Sequence, residues 1–123
     1  MNPVFFDTHV HFDSDDDPAQ IYAIIRRAEA AGVAHLTVVG GSPTMNETAA
    51  RVASEYPDMV CGAVGFDRDQ AAHGTGDLRS NLSVLTLAKQ VIQTPKARMV
   101  AIGEIGLDFH RSPQTADQQL TLL

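Results

Sequence analysis

Two histidines separated by one residue are the part of this sequence best suited to chemistry. They lie in the segment DTHVH at residues 7–11, directly after an apolar run at residues 4–6. In an extended strand alternate side chains point to the same face, so Asp7, His9 and His11 share one side. Two imidazoles placed in this way can bind one divalent cation, with Asp7 further out to hold an imidazole tautomer. The alternative is a surface histidine pair near a terminus, because His-x-His alone is a short pattern.

Acidic residues follow two later apolar segments. Asp67 and Asp69 come after the predicted third strand, and Glu104 comes after the fourth. In α/β proteins, sites form at the carboxyl ends of the strands, so we expect these groups to converge with the two histidines. An acid directly after a buried strand is costly unless it is paired, hydrogen-bonded or bound to a metal. A glutamate bonded to backbone amides is the alternative for Glu104, but metal binding explains the combination with His-x-His better.

The elements that must position these residues alternate between strands and helices. We predict strands at residues 4–6, 35–39, 59–64 and 99–102. We predict helices at residues 19–31, from Ser42 to about residue 56, after Ser80, and from about Thr115, with a polar loop at residues 67–79. The acidic run before Pro18 and the pair Ser42-Pro43 are typical helix starts. Apolar strands separated by helices indicate parallel βαβ units.

Composition limits the classes of function. The chain has 123 residues, enough for one domain, and a net charge of −6, which argues against binding nucleic acid by bulk charge. A phosphate substrate would have to be met locally, by metal ions and a few arginines. The single cysteine, Cys61, excludes an internal disulfide framework and lies in an apolar run, where a small buried side chain is expected. The sequence shows no signal peptide or membrane-spanning run, so we predict a cytoplasmic protein with no membrane partner.

Two motifs resemble those of a known family. The segment DTHVHFD at residues 7–13 is similar to the opening DTHxHxD of TatD-type metal-dependent deoxyribonucleases, which belong to the broader amidohydrolase-like hydrolases. The segment GEIGLDF at residues 103–109 resembles the second signature of that family. The stretch from Ser112-Pro113 through Gln118 resembles its usual continuation, a proline followed by a glutamine on a helix. The two motifs stand in the family's order, and the resemblance extends over essentially the whole chain.

The resemblance implies a TIM-like barrel with a metal site at its carboxyl end, acting on phosphodiester bonds such as those of DNA. By the family pattern, His9 and His11 bind one metal, and Glu104, the catalytic carboxylate, binds or bridges one or two ions. Histidine and carboxylate ligands suit Zn²⁺ or Mn²⁺, and Mg²⁺ fits if carboxylate and water ligation dominates. The residues assigned to an outer shell or to substrate contact are Asp7, Asp67, Arg68, Asp108, His110 and Arg111.

One departure from the family lies after the third strand. The family commonly has a Gly-x-His-Pro-His run there, whereas this chain reads GFDRD at residues 65–69. Two aspartates, Asp67 and Asp69, replace the imidazoles, and Arg68 between them could face a phosphate. The alternative for all three is an exposed, mutually paired loop.

A second departure is the length of the chain. A (β/α)₈ barrel takes about 250 residues, so four strands with their helices make about half a barrel. We therefore predict that residues 1–123 are the amino-terminal part of a single barrel domain, apparently truncated and nearly inactive alone. Two histidines and an aspartate that the family carries later have no counterpart here. His110 is the best replacement and Arg111 could meet a phosphate, with an exposed loop histidine and a surface salt bridge as the alternatives.

Three functions remain open at this point. The leading hypothesis is a TatD-like phosphodiesterase that acts on DNA. The second keeps the metal site but changes the substrate to an amide or lactone, as in other amidohydrolase-like enzymes. The third is a non-catalytic half-barrel that associates with itself or another partner through its exposed barrel face.

Overall fold

A computed structural model of the chain describes residues 4–13, 15–73, 98–113 and 116–120. In these ranges it contains strands β1 (Phe5–Val10), β2 (Val33–Val39), β3 (Val60–Val64) and β4 (Met99–Ile102), and helices α1 (Pro18–Ala30), α2 (Pro43–Glu55), α3 (Arg68–His73) and α4 (Ala116–Leu120). The helix predicted after Ser80 lies outside the described residues. Of the helices in those ranges, none is long and apolar enough to cross a membrane.

The four strands form one parallel sheet in the order β1-β2-β3-β4. Leu36 of β2 pairs with Val60 of β3, and Gly62 of β3 pairs with Met99 of β4. In the part of the chain that is described the sheet is open, with β1 and β4 at its edges. This arrangement confirms the predicted α/β class and the partial TIM-like (β/α) architecture.

Helices α1 and α2 begin at the predicted caps. The carboxylate of Asp17 accepts a hydrogen bond from a backbone N–H in the first turn of α1, and the hydroxyl of Ser42 does the same for α2. A proline occupies the first helical position after each cap, where its missing N–H costs nothing. Gly32 ends the α1 turn with a φ of 95°, a conformation that glycine adopts without steric cost.

The core lies between the sheet and helices α1 and α2. Its members are apolar side chains that recur at helical spacing on the helices and at alternate positions on β2, together with residues of β3; they include Ile21, Ile25, Val38, Val52 and Val60. All five are almost completely buried. Cys61 is also buried, and its Sγ lies 3.6 Å from the Leu36 carbonyl oxygen and 3.3 Å from the Thr37 hydroxyl, which confirms its expected role as a small buried side chain.

Large apolar side chains are exposed on both edge strands. Phe5 and Phe6 on β1 and Val100 and Ile102 on β4 each keep more than half of their surface accessible. We call these four residues the apolar edges. Soluble proteins normally pair or cover such strands, because an open edge presents unpaired backbone groups together with apolar surface.

Two predictions about the elements were wrong. β1 does not end at Phe6 but continues to Val10, because its ladder with β2 extends to the Val10–Val38 pair regardless of side-chain polarity. The predicted polar loop contains helix α3 from Arg68 to His73. This helix starts because one carboxylate oxygen of Asp67 accepts hydrogen bonds from the backbone N–H groups of residues 69 and 70, an N-cap arrangement. Residues 74–79 of that loop lie outside the described part.

Candidate metal centre

Three side chains meet at the carboxyl ends of the strands. The Nε2 atoms of His9 and His11 are 2.9 Å apart, and each lies 3.4 Å from Oε2 of Glu104. The side chains are about half exposed, at 54%, 40% and 44% for His9, His11 and Glu104. The centre is therefore open to solvent on one side, and a substrate could reach it.

The position of Glu104 depends on how the chain leaves β4. β1 and β4 are at opposite edges of the sheet, and three strand spacings would separate them by about 14 Å in a flat sheet. The chain closes this gap by crossing the ends of β3 and β2, where Gly103 N–H donates to the Val64 carbonyl (2.8 Å) and Glu104 N–H donates to the Gly40 carbonyl (3.4 Å). The crossing carries the Glu104 carboxylate to the histidines of β1.

The backbone can cross there because residue 65 has no side chain. A Cβ at Gly65 would lie 2.7 Å from the carbonyl carbon of Gly103 and closer still to the carbonyl oxygen of Glu104. Both are backbone atoms, so the clash cannot be relieved by rotation of a side chain. The glycine at the end of β3 is therefore a steric requirement for the centre.

The tautomer of the neutral His11 ring follows from the contact of its other nitrogen. Nδ1 of His11 lies 2.8 Å from the carbonyl oxygen of Val39, the last residue of β2. Because a carbonyl can only accept, Nδ1 carries the hydrogen, and in the neutral ring Nε2 keeps its lone pair directed into the cluster. This backbone contact fixes an imidazole in the tautomer that a metal ion requires.

The donor set fits a divalent cation. Two imidazole nitrogens and a carboxylate oxygen bound to one ion at about 2.0–2.2 Å in tetrahedral geometry would lie about 3.4 Å from one another. The observed separations of 2.9, 3.4 and 3.4 Å are close to this spacing. Histidine with carboxylate is a ligand combination typical of Zn²⁺ and Mn²⁺ sites. His9, His11 and Glu104 could therefore hold a metal ion.

Near strands one and three, the carboxylates of Asp7 and Asp67 accept hydrogen bonds from backbone N–H groups, and the Arg68 side chain is exposed. Oδ1 of Asp7 accepts from the His9 backbone N–H at 3.1 Å, and it is Val39, not Asp7, that contacts an imidazole nitrogen of the pair. Asp67 caps α3 through Oδ1, and its other oxygen faces Gly41. Arg68 opens α3 with an exposed side chain.

Asp108 organises the loop that follows Glu104. Its Oδ1 accepts hydrogen bonds from the backbone N–H groups of His110 (3.1 Å) and Arg111 (2.8 Å), and both of those residues are exposed. The hydrogen bond from Arg111 is the main cause that lowers the pKa of Asp108 below its ordinary value of 3.8, with smaller contributions from His110 and from the charges of Arg111 and Arg68. His110 does not join the three-residue cluster, so the structure leaves it in an exposed loop.

This lowered pKa predicts a pH effect on stability. Because the folded state favours the ionised Asp108, its contribution is present above pH 3.8 and is lost as the pH falls through the lower folded-state pKa. The variant Asp108→Asn keeps an acceptor oxygen but not the charge. We expect its melting temperature to fall below that of the original chain at neutral pH and to converge with it in acid, in thermal unfolding followed by circular dichroism from pH 7 to pH 2.5. Parallel curves over this whole range would contradict the role of the carboxylate.

Two buried amide side chains near the centre were not identified from the sequence. Asn46 on α2 makes two hydrogen bonds to the backbone of Gly65. Gln119 on α4 is fully buried, accepts from the Asp108 N–H at 2.6 Å and donates to the carbonyls of Asp108 and Ser112. The signal for Asn46 was available, since it lies on the same helical stripe as the buried Ala49 and Ala53.

Comparison with known proteins gives consistent matches. A family model described as TatD related DNase matches residues 6–123. The protein named 3'-5' ssDNA/RNA exonuclease TatD from Rahnella sp. is 28% identical over 114 residues, covering 93% of this chain and 40% of that protein. Its namesake from Dickeya dadantii is 31% identical over 114 residues, covering 93% and 40%. The protein named uncharacterized metal-dependent hydrolase YabD, from Bacillus subtilis, is 29% identical over 119 residues, covering 95% of this chain and 43% of that protein. The chain thus spans about two fifths of the length of these relatives.

Proposed function

Because this chain belongs to the TatD-related DNase family, we propose that it forms the metal-binding part of a hydrolase that cleaves phosphodiester bonds in single-stranded nucleic acid. The family match supports metal-dependent hydrolysis as the general activity. The relatives named as ssDNA/RNA exonucleases support the finer choice of substrate. The observation that carries the proposal is the convergence of His9, His11 and Glu104 within one cation's reach.

Each member of the cluster has a distinct task in this proposal. His9 and His11 supply neutral nitrogen ligands, and the Val39 carbonyl holds His11 in the required tautomer. Glu104 approaches both imidazoles through Oε2, so Oε2 would hold the ion and the other carboxylate oxygen would be left to accept a proton. When bound, a divalent cation supplies Lewis-acid activation of water and of the scissile phosphate. The carboxylate also balances part of the positive charge of the ion.

Recognition of the phosphate has to be local. The chain carries a net charge of −6, so an anionic substrate is not attracted by the protein as a whole. Helix α3, which Arg68 opens, contacts α4, and Gln119 of α4 is hydrogen-bonded to the backbone of Asp108, so α3 and the loop after Glu104 lie in the same region. We assign these two exposed guanidinium groups to contacts with substrate phosphates, and Asp108 to fixing the loop backbone between Glu104 and Arg111.

The remainder of the barrel is proposed to cover the apolar edges. The relatives are more than twice as long as this chain, and a barrel requires both edge strands of the sheet to pair with further strands. The exposed Phe5, Phe6, Val100 and Ile102 are the surface that such strands would bury. Ligands from the added strands would complete the coordination of the ion.

The test is hydrolysis by the chain joined to a carboxyl-terminal half taken from one of these relatives. The substrates are a single-stranded oligonucleotide, a duplex, a generic phosphodiester and a lactone panel, each with Mn²⁺, Zn²⁺ or Mg²⁺ and with a chelator. We expect metal-dependent shortening of the single strand, which is lost in Glu104→Gln. Lactone or amide turnover without DNA cleavage would favour the other amidohydrolase-like activity. A stable dimer of the 123-residue chain that binds metal but supports no hydrolysis in any combination would favour the self-associating alternative.

A further inference from the structure

We infer that Asn46 is a positioning residue for the metal centre, setting the distance between Glu104 and the two histidines without touching the ion. This inference rests on the proposed function, since it concerns the same site. Asn46 lies on α2, on the helix side of the sheet, and only 1% of its surface is exposed. Its side chain is not part of the apolar core cluster, so its burial needs an explanation.

The explanation is a two-point attachment to the end of β3. Nδ2 of Asn46 donates to the Gly65 carbonyl at 2.9 Å, and Oδ1 accepts from the Gly65 N–H at 3.0 Å. A planar amide bonded to both polar groups of one residue fixes the position and the orientation of that residue's backbone. Gly65 follows the last residue of β3, so the hydrogen-bond ladder of the sheet does not hold its N–H and carbonyl groups. The Asn46 side chain holds them instead.

The attached residue is the one against which the ligand-bearing backbone packs. Gly65 contacts the carbonyl groups of Gly103 and Glu104 so closely that a Cβ would overlap them. A shift of Gly65 would therefore be passed directly to the Glu104 peptide. Since both are backbone contacts, no side-chain rotation can absorb the movement.

The same amide also lies against the end of β2. A Cβ on Gly40 would lie 2.9 Å from the Asn46 Cα and nearer to its Oδ1. The Gly40 carbonyl accepts from Glu104 N–H, and the preceding residue, Val39, holds the ring of His11. One buried side chain thus aligns the backbone segments that position His11 and Glu104.

The test is the affinity of the 123-residue chain for Co²⁺, measured by its visible absorption and by titration calorimetry. In Asn46→Ala we expect the affinity to fall about 10- to 100-fold, the effect typical of removing a group that orients a metal ligand. The Co²⁺ spectrum should change as well, because the geometry of the ligands changes. Asn46→Asp keeps the volume and the acceptor for the Gly65 N–H but turns a buried carboxylate oxygen toward the Gly65 carbonyl, so we expect a loss of affinity at least as large as in Asn46→Ala.

The control for general destabilisation is Val52→Ala. Val52 lies on the same helix and is fully buried, but it belongs to the apolar core and not to the Gly40–Gly65 junction. All titrations are done at a temperature at which circular dichroism shows each variant to be folded. If Asn46→Ala is too unstable for this, Asn46→Ser, which keeps an uncharged polar group at this position, carries the test. We expect Val52→Ala to lower the melting temperature and leave the Co²⁺ affinity and spectrum unchanged.

The possible results distinguish a failure of metal binding by the chain from a failure of the positioning role of Asn46. If the original chain shows no Co²⁺ binding that depends on His9 and His11, the proposed metal function fails. If it binds Co²⁺ and the folded Asn46 variants bind with the same affinity and spectrum, only the positioning role is overturned. An equal loss of affinity in Val52→Ala would also overturn it, since the effect would then come from stability alone.

Discussion

Replacing Glu104 by glutamine is expected to reduce the affinity for a divalent cation by about 100-fold or more, since loss of a ligand exceeds the effect of changing its surroundings. The substitution keeps the volume and an oxygen at the position that faces His9 and His11, but it removes the charge that the cation needs. His9→Ala and His11→Ala should have losses of similar size. Elemental analysis after dialysis, together with Zn²⁺ and Mn²⁺ titrations, measures the effect.

The fold should tolerate these substitutions, so a loss of metal binding can be attributed to the loss of a ligand and not to unfolding. All three side chains are about half exposed, so they contribute little to the core. His35→Gln is the matched control, because His35 is a strand histidine whose ring contacts Phe6 and lies outside the cluster. Metal uptake that is unchanged in the three ligand variants, or equally reduced in His35→Gln, would remove the assignment of the site.

The second large effect is expected for Gly65→Ala. The added Cβ would lie 2.7 Å from the Gly103 carbonyl carbon and 2.9 Å from the Glu104 carbonyl carbon, distances that real Cβ atoms essentially never show. Relief requires movement of the backbone that carries Glu104. We expect a destabilisation of about 3 kcal/mol, at the upper end of ordinary overpacking, together with loss of metal affinity.

Two other glycines provide controls in which an added Cβ would meet either no atom or only a flexible side chain. At Gly106 an added Cβ would meet no atom within 4 Å, so Gly106→Ala should have almost no effect. At Gly62 the Cβ would meet the flexible end of the Met99 side chain, which can rotate, so Gly62→Ala should be destabilising but should retain metal binding. Chemical denaturation and Co²⁺ titration of the three variants give the order. A Gly65→Ala chain that is as stable as Gly106→Ala and binds metal equally well would contradict the proposed backbone packing.

The fold could be predicted largely because local signals agreed with one another. Prolines after Asp17 and Ser42 marked the starts of α1 and α2, and the continuous apolar segments marked β3 and β4. The end of β1 was misplaced because backbone pairing, not side-chain polarity, decides where a strand stops. Helix α3 was missed because Asp67 was read as a candidate site residue, although aspartate is equally a helix cap.

The cluster could be predicted to a smaller extent. The pattern of His9 and His11 indicates a shared face, and the carboxyl-end rule brings Glu104 to the same end of the sheet. That rule does not predict that the backbone after β4 passes over the ends of β3 and β2. This path is what brings the Glu104 carboxylate to the histidines. The helical stripe marks Asn46 as a buried position, but its partner Gly65 and the contact between Val39 and His11 involve backbone groups of residues distant in sequence, which no side-chain pattern encodes.

The order of the strands in the sheet is the same as their order along the chain. Each strand therefore finds its partner in the strand made just before it, as Leu36 and Val60 do across 24 residues. Each new strand can pair with one that has already been made, and this order suits a polypeptide that leaves the ribosome from its amino terminus. The sheet can grow by one strand at a time during synthesis, with the most recent strand always serving as the template for the next.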